Sequence, residues 1–265
     1  MKKQILSSLL VLGMIASQTP AVSAKSRTVN VLTKISYDAN YAYQGKASTS
    51  YSYNKKGLVS AQQRQWPKSL FNGKSYYTYN KQNKIVKETG TNIQYGESKN
   101  KYKIDNHDFV YKNGLLVSGK GDQPIYRKGR LVGFKNELKT KFYYNKKGQL
   151  DHITNFSAFD TQPRYSYDRY GYLIAVKDSA LSDQVNYKNQ YRNGLLVRQT
   201  YQYKNHPQYG EKAKTKKGTI TYQYKKVKIS SALYNHVRNQ QKSLYYIGDL
   251  DYYGIGFTNW FFFNA

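Results

Sequence analysis

The sequence predicts an all-β protein, an array of about eight antiparallel β-hairpin repeats forming an extended, curled sheet or solenoid with a short α/β C-terminal cap. Three observations carry this reading: a recurring tyrosine–turn–aliphatic unit, turns with hairpin chemistry, and aromatic residues spaced two apart before those turns. The anchor tyrosines are Tyr53, Tyr79, Tyr111, Tyr126, Tyr144, Tyr167, Tyr191 and Tyr224. The turns close at Gly57, Asn83, Gly114, Gly129, Gly148, Gly171, Gly194 and Val227. Two positions past each closer stands Val59, Ile85, Leu116, Leu131, Leu150, Leu173, Leu196 or Ile229.

Two turn versions are present. The longer reads Asn54-Lys-Lys-Gly57, Asn145-Lys-Lys-Gly148 and Asp168-Arg-Tyr-Gly171, with Asn80-Lys-Gln-Asn83 as a variant. Asn or Asp opens a type I turn by capping the local backbone, and Gly or Asn closes it with positive φ, giving a G1 bulge. The shorter reads Lys112-Asn113-Gly114, Lys128-Gly129 and Arg192-Asn193-Gly194. It favours the two-residue type I′ turn, whose twist matches the flanking strands. The pairs Tyr51/Tyr53, Tyr77/Tyr79, Tyr165/Tyr167 and Tyr222/Tyr224 place both rings on one strand face, because side chains alternate with period two.

Residues 1–24 read as a removable secretion signal. Lys2 and Lys3 precede the short apolar run from Ile5 to Ile15, and Ala21-Val-Ser-Ala24 supplies small residues for cleavage after Ala24. That run is shorter than the roughly 18–20 residues a membrane span requires, and no later stretch is long or apolar enough. The expected product is secreted, soluble or loosely associated with the cell wall or surface. It has no cysteine, which excludes disulfide staples and thiolate metal sites. Hydrophobic residues make up 39% and include 30 tyrosines, which suits a thin sheet better than a thick apolar core.

Charge is the second signal. The formal +28 becomes +26 without Lys2 and Lys3, and residues 230–265 are neutral, so the excess sits on residues 25–229. Much of it falls in the turns, at Lys55, Lys56, Lys112, Arg127, Lys128, Lys146, Lys147, Arg169, Arg192, Lys225 and Lys226. Stacked in register, these tips would form a cationic ridge for an anionic partner. Lysines on sheet edges also block aggregation and keep a tyrosine-rich surface soluble, but mixed charge would serve that purpose equally.

Three segments follow: the signal (1–24), the hairpin array (25–229) and an aromatic cap (230–265). Anchor spacing is irregular, from 15 to 33 residues. Insertions from Trp66-Pro67 to Gly73 and from Asn205-His206-Pro207 to Lys217 are expected as loops on one side of the sheet, and residues 29–43 as a capping strand. Ser230-Ser231 is expected to cap a short helix ending about Leu244. The aromatic ending from Tyr252 to Phe263 would cover the open end of the array or dock a membrane or partner.

The stretch Arg164-Tyr-Ser-Tyr167-Asp168-Arg-Tyr-Gly171-Tyr-Leu173 resembles the YD (RHS-type) repeat, and Tyr51–Val59 and Tyr143–Leu150 fit with Asn for Asp. Tyr111-Lys-Asn-Gly114-Leu-Leu resembles the antitoxin-type relatives of MORN repeats. In large YD-repeat proteins strands spiral into a shell around a toxic domain; this chain is too short for that and lacks their protease-bearing core segment. Tyr143-Tyr144-Asn145-Lys-Lys-Gly148-Gln-Leu150 is similar to Gram-positive cell-wall-binding hairpins, which hold choline or glucan between aromatic rings. Those depend on a Gly-Trp step, whereas this chain has only Trp66 and Trp260.

No catalytic constellation is visible. His107, His152, His206 and His236 are scattered without metal-ligand spacing, and no nucleophile elbow, phosphate loop or dinucleotide fingerprint is present. Asp249-Leu-Asp251 is a lone carboxylate pair. The expectation is a non-enzyme without cofactor or metal that binds an anionic cell-envelope polymer such as teichoic acid or polysaccharide. An extracellular nucleic-acid binder and an interaction or immunity partner in a toxin system are the alternatives.

Overall fold

The computed structural model describes residues 25–38, 45–65, 72–93, 101–118, 123–155, 162–178, 184–204 and 214–245. The expected signal segment, residues 66–71 and 205–213 of the expected loops, Asp249, Asp251 and the aromatic ending lie outside them.

The chain opens with β1 (Ser26–Tyr37). Strands β2 (Ala47–Tyr53) and β3 (Val59–Gln65) flank the first turn, and β4 (Asn72–Tyr79) and β5 (Ile85–Ile93) the second. β6 (Lys101–Asp108) returns along β5 and continues through Phe109 into β7 (Val110–Lys112), whose tight turn leads to β8 (Leu115–Ser118). Four more hairpin pairs follow: β9 (Gln123–Arg127) with β10 (Arg130–Lys135), β11 (Lys141–Tyr144) with β12 (Leu150–Thr154), β13 (Pro163–Tyr167) with β14 (Leu173–Asp178), and β15 (Gln184–Arg192) with β16 (Leu195–Lys204). The last strand, β17 (Thr215–Ser230), passes through a 3₁₀ turn (Ser231–Leu233) into α1 (Tyr234–Leu244).

The turns obey their local chemistry. Asn54, Asn80, Asn145 and Asp168 each accept, at Oδ1, the backbone N–H groups two and four residues ahead. Gly57, Asn83, Gly148 and Gly171 take the positive φ that closes such turns. In the two-residue turns both residues do so, as at Asn113/Gly114 and Asn193/Gly194, the type I′ signature. The register shifts at most anchor tyrosines, for example between Ser52 and Tyr53, and this bulge pairs each tyrosine with its aliphatic partner: Tyr53 with Val59, Tyr79 with Ile85, Tyr111 with Leu116.

Fifteen strands form one sheet in the order β6-β5-β4-β3-β2-β1-β17-β16-β15-β14-β13-β12-β11-β10-β9, with β7 and β8 paired separately. All pairings are antiparallel. The ladder is open: β6 and β9 end it, and the β7–β8 hairpin stands between those ends. Phe109 N donates to the Val86 carbonyl at 2.9 Å on one side, and β8 lies against β9 on the other. A single-layer sheet buries one face fully only by curling over it. Here Ile35, Ile85, Ile153, Val176 and Val185, drawn from strands across the sheet, are at most 1% exposed and belong to one cluster.

Three expectations are corrected. The far ends of the two expected loops are strand, because Asn72 and Gly73 pair with β5 at the start of β4 and Thr215–Lys217 pair with β16 at the start of β17. The N-terminal strand is not a terminal cap; β1 lies mid-sheet between β2 and β17. Nor do Tyr224, Val227 and Ile229 bracket a turn, since β17 runs straight from Thr215 to Ser230 and Lys225 and Lys226 are strand residues. The β-branched Val227 is a poor residue for the positive φ that such a turn needs. The eighth unit is instead assembled from both chain ends. Tyr224 pairs with Leu32 of β1, and the register shifts there too, between Leu32 and Lys34.

The helix ends where expected, at Leu244, but Ser230 caps the 3₁₀ turn: its Oγ accepts from Ala232 N, while α1 begins at Tyr234 without a side-chain cap. It folds back onto the array: Val237 joins Val29, Val31, Leu58 and Ile229 in a second cluster. Gln240 Oε1 accepts from Val59 N (2.9 Å) and Gln241 Oε1 from Leu32 N (2.7 Å).

Candidate anion-binding rim

Register brings the seven hairpin turns to one end of the curled sheet, where a ring of tyrosines holds neighbours together. At six of the eight anchors the hydroxyl reaches back to the carbonyl of an aliphatic residue in the neighbouring unit. Tyr79 donates to Val59 O (2.6 Å), Tyr111 to Ile85 O (2.8 Å), Tyr144 to Leu131 O (2.7 Å), Tyr167 to Leu150 O (2.9 Å) and Tyr224 to Leu196 O (2.6 Å). Tyr53 donates to Leu32 O, so the composite unit takes its place in the ring. At Tyr191 the pattern changes: its hydroxyl donates to Asp168 Oδ2, and Asn189 Nδ2 takes the Leu173 carbonyl at 3.2 Å.

These hydroxyls are interior groups. Burial pushes the pKa of Tyr126 up to about 12 and those of Tyr53, Tyr79, Tyr111, Tyr144, Tyr167, Tyr191 and Tyr224 higher still. Each ladder bond contributes about 0.5–1.5 kcal/mol net, while an orphaned buried partner costs about 1–3 kcal/mol. Tyr79 also accepts from Gln240 Nε2 at 2.9 Å. Tyr79→Phe is therefore expected to destabilise by about 1–3 kcal/mol, because it strands both Val59 O and Gln240. Tyr111→Phe, which breaks only the bond to Ile85 O, should be milder; urea unfolding of the two variants tests the order.

The ladder sets the tips side by side. Lys56 Nζ donates to Asn83 Oδ1 of the next turn at 2.8 Å, and Lys84 Nζ to the Gly114 carbonyl at 2.6 Å. Farther round, the Arg130 guanidinium approaches Gly148, and the Gln149 amide approaches Gly171. Lys55, Lys56, Lys112, Arg127, Lys128, Lys146, Lys147, Arg169 and Arg192 are all exposed. Each stands in a turn or at its edge, so together they occupy a single rim. Among the described residues ion pairs with acids are sparse, Asp151 with His152 (2.7 Å) and Arg164 (4.0 Å) being found away from the turns.

A second set of cations faces the ring, of which sequence reasoning named only Lys225, and that as a turn residue. Lys84 lies 5.2 Å over the Tyr111 ring, Arg130 5.0 Å over Tyr144 and Lys225 5.5 Å over Tyr53. Burial lowers the Lys84 pKa. Lys84 and Arg130 each directly precede an aliphatic anchor, a recurrence visible in the sequence once the hairpins are aligned. The anchor tyrosines are half-buried, and six of them have the hydroxyl bound in the ladder. Exposed rings among the described residues are Tyr76, Tyr143 and Tyr170, and Tyr143 is stacked on His152 at 4.3 Å.

Asp168 has a distinct environment. Burial opposes its ionisation, but bonds from Tyr191, Asn189 and the Tyr172 and Tyr170 N–H groups outweigh this and hold its pKa below the usual carboxylate value. A depressed folded pKa gives stability that is present above the unfolded carboxylate value, about 3.9, and lost as pH falls through that range. Asp168→Asn, which leaves a carboxamide like those of Asn54 and Asn145, should flatten this part of the acid-unfolding curve followed by circular dichroism.

Among the described residues no group of three or more His, Asp or Glu converges on a metal position, and no helix is long and apolar enough to cross a membrane. The side chains of His107 and His206 lie outside the described set. His236 is half-buried on α1; burial and the nearby Lys84 lower its pKa, opposed by the bond its ring donates to the Asn83 backbone carbonyl.

No protein-family model matches the chain, and neither does any curated protein. Several solved structures are similar to it. A porin-like protein from Bacteroides uniformis shares 12% identity over 73% of this chain and 98% of its own, with a TM-score of 0.34. A TcdB2-TccC3-Cdc42 structure shares 14% identity over 68% of this chain, with a TM-score of 0.25. The Photorhabdus luminescens Tc holotoxin pore shares 12% over 62%, with a TM-score of 0.29. This chain spans about 9% of each of those two matched chains. At such scores the architecture rests on the chain's own geometry: an open, curled, antiparallel sheet of hairpins with a short helical cap.

Proposed function

We propose that this is a secreted, non-catalytic binding protein of the YD-repeat type that attaches to an anionic cell-envelope polymer through the cationic rim of its hairpin turns. The supporting observation is the alignment of the tips. A tyrosine ladder fixes seven turns at one end of the sheet, and the exposed Lys and Arg residues of those turns are crowded together with few acids to neutralise them. Such crowding carries a self-repulsion that a polyanion relieves. The consumption of the anchor rings in the ladder favours this reading over a single-strand nucleic-acid binder, which needs exposed rings as stacking platforms.

The test is retention on isolated cell walls, with and without teichoic acid, across a salt series. Retention should fall steeply with ionic strength, because exposed charges are screened over about 10 Å at 0.1 M salt. Combined replacement of Lys55, Lys56, Lys146 and Lys147 by Gln should weaken retention at low salt and flatten its salt dependence. Salt-independent retention would refute the electrostatic mechanism.

A further inference from the structure

The outward face of the last strands carries a second cationic surface, away from the turns. Alternation directs Val176, Val185, Tyr187, Tyr201 and Tyr222 into the core, so their neighbours face out. On β13–β17 the outward set includes exposed Arg164, Lys177, Lys188, Arg198, Lys204 and Lys217. Arg164 and Lys177 stand directly opposite each other on adjacent strands, an arrangement of like charges that opposes pairing. Three acids among the described residues border the surface, and Asp151 lies 4.0 Å from Arg164. Asp38 accepts from Thr219 N at 2.6 Å, and Asp178, buried at 2%, accepts from Gln162 N.

Within this surface lies a trough of about 520 Å³ over β15, β16 and β17. Its outward lining is Asn186, Lys188, Thr200, Gln202, Lys217 and Thr219. Two registered rows produce the hollow: Asn186–Gln202–Lys217 and Lys188–Thr200–Thr219. Short threonines sit side by side in one row, and longer side chains flank them. Gln184 Nε2 donates to Asn186 Oδ1 at 2.7 Å, which turns the Asn186 amide NH₂ outward as a donor. Arg198 donates to Thr219 Oγ1 at 3.4 Å, orienting that hydroxyl.

The lining thus offers two ammonium groups, two carboxamides and two hydroxyls, and the one carboxylate bonded to it among the described residues, Asp38, is held by the Thr219 N–H at its edge. This set matches a polyhydroxylated unit that carries one negative group. Ammonium ions meet the charge, and amides and hydroxyls exchange bonds with the alcohols. We infer that the trough seats one anionic polyol or sugar unit, a polyol phosphate or a uronate, of the polymer that the chain binds. The inference rests on the polymer-binding reading but places the specific contact on the sheet face and leaves the rim as a diffuse attractor.

Calorimetric titration of the mature chain with poly(glycerol phosphate) and, separately, with polygalacturonate of matched length tests it. Lys188→Gln/Lys217→Gln should weaken binding of one polymer at least tenfold, and the preferred polymer identifies phosphate or carboxylate. Thr200→Val preserves both charge and shape, so it should weaken the same polymer several-fold, whereas diffuse attraction would leave it unmoved. The rim variant should lower affinity for both polymers alike. An unaltered Thr200→Val, or loss confined to the rim variant, overturns the trough while leaving the polymer reading intact. Failure of the wild-type chain to bind either polymer overturns both. Matching thermal unfolding of each variant and the wild type shows that the fold is retained.

Discussion

Deletion of Ser26–Tyr37 is expected to abolish folding, not merely to shorten the array. In a linear solenoid the first strand is a cap, and its loss weakens one end. Here β1 pairs with both β17 and β2, so deletion exposes two strand edges in mid-sheet. It also removes Val31, Leu32 and Ile35, all fully buried, each worth about 1.5–3 kcal/mol of burial. Leu32 further supplies the carbonyl for Tyr53 and the pairing partner of Tyr224. The milder Leu32→Ala should cost about 2–5 kcal/mol and leave a cooperative transition. Far-UV circular dichroism and size-exclusion chromatography read the deletion, and urea titration reads the point variant. A folded, cooperative deletion product would show that the array does not depend on joining its two chain ends.

Gly57→Ala is expected to destabilise far more than the same change at Gly114, although both glycines hold nearly the same φ, +79° and +77°. The backbone penalty for a side chain in this region is roughly 1–2 kcal/mol and is common to both. The surroundings differ. A Cβ on Gly57 would fall 2.5 Å from Ile229 Cγ2, with Val237 and Val227 behind it, whereas nothing lies within 4 Å of one on Gly114. Ile229 is 3% exposed and its branched side chain has little freedom to retreat. The clash should add about 1–3 kcal/mol and loosen the docking of α1, which packs here through Val237. Equal losses at the two positions would mean that the helix and β17 yield freely at this contact.

The contrast between these glycines marks the boundary of what could be read in the chain. Both were legible as turn closers, because Asn-x-x-Gly and Asn-Gly satisfy a turn's backbone within a few residues. That one is crowded by a strand more than 170 positions away has no local signature. The candidate rim divides in the same way. Its exposed cations were legible because they sit in turns. The placement of Lys84, Arg130 and Lys225 over the Tyr111, Tyr144 and Tyr53 rings was not, since each depends on which strands stand next to one another.

By itself, then, the sequence determined most of the strands, seven of the turns, the helical turn that Ser230 opens and the concentration of positive charge on the array. All of these follow from short-range rules: side-chain alternation, the φ preferences of Gly and Asn, and capping by Ser. The tertiary structure alone decided that β1 would close onto β17, that the tyrosines would be bound in a ladder, and that β15–β17 would present a polar trough. These outcomes depend on register between distant segments. A shift of one residue would turn every outward side chain inward, and curling the sheet to bury its tyrosine face selects the register observed.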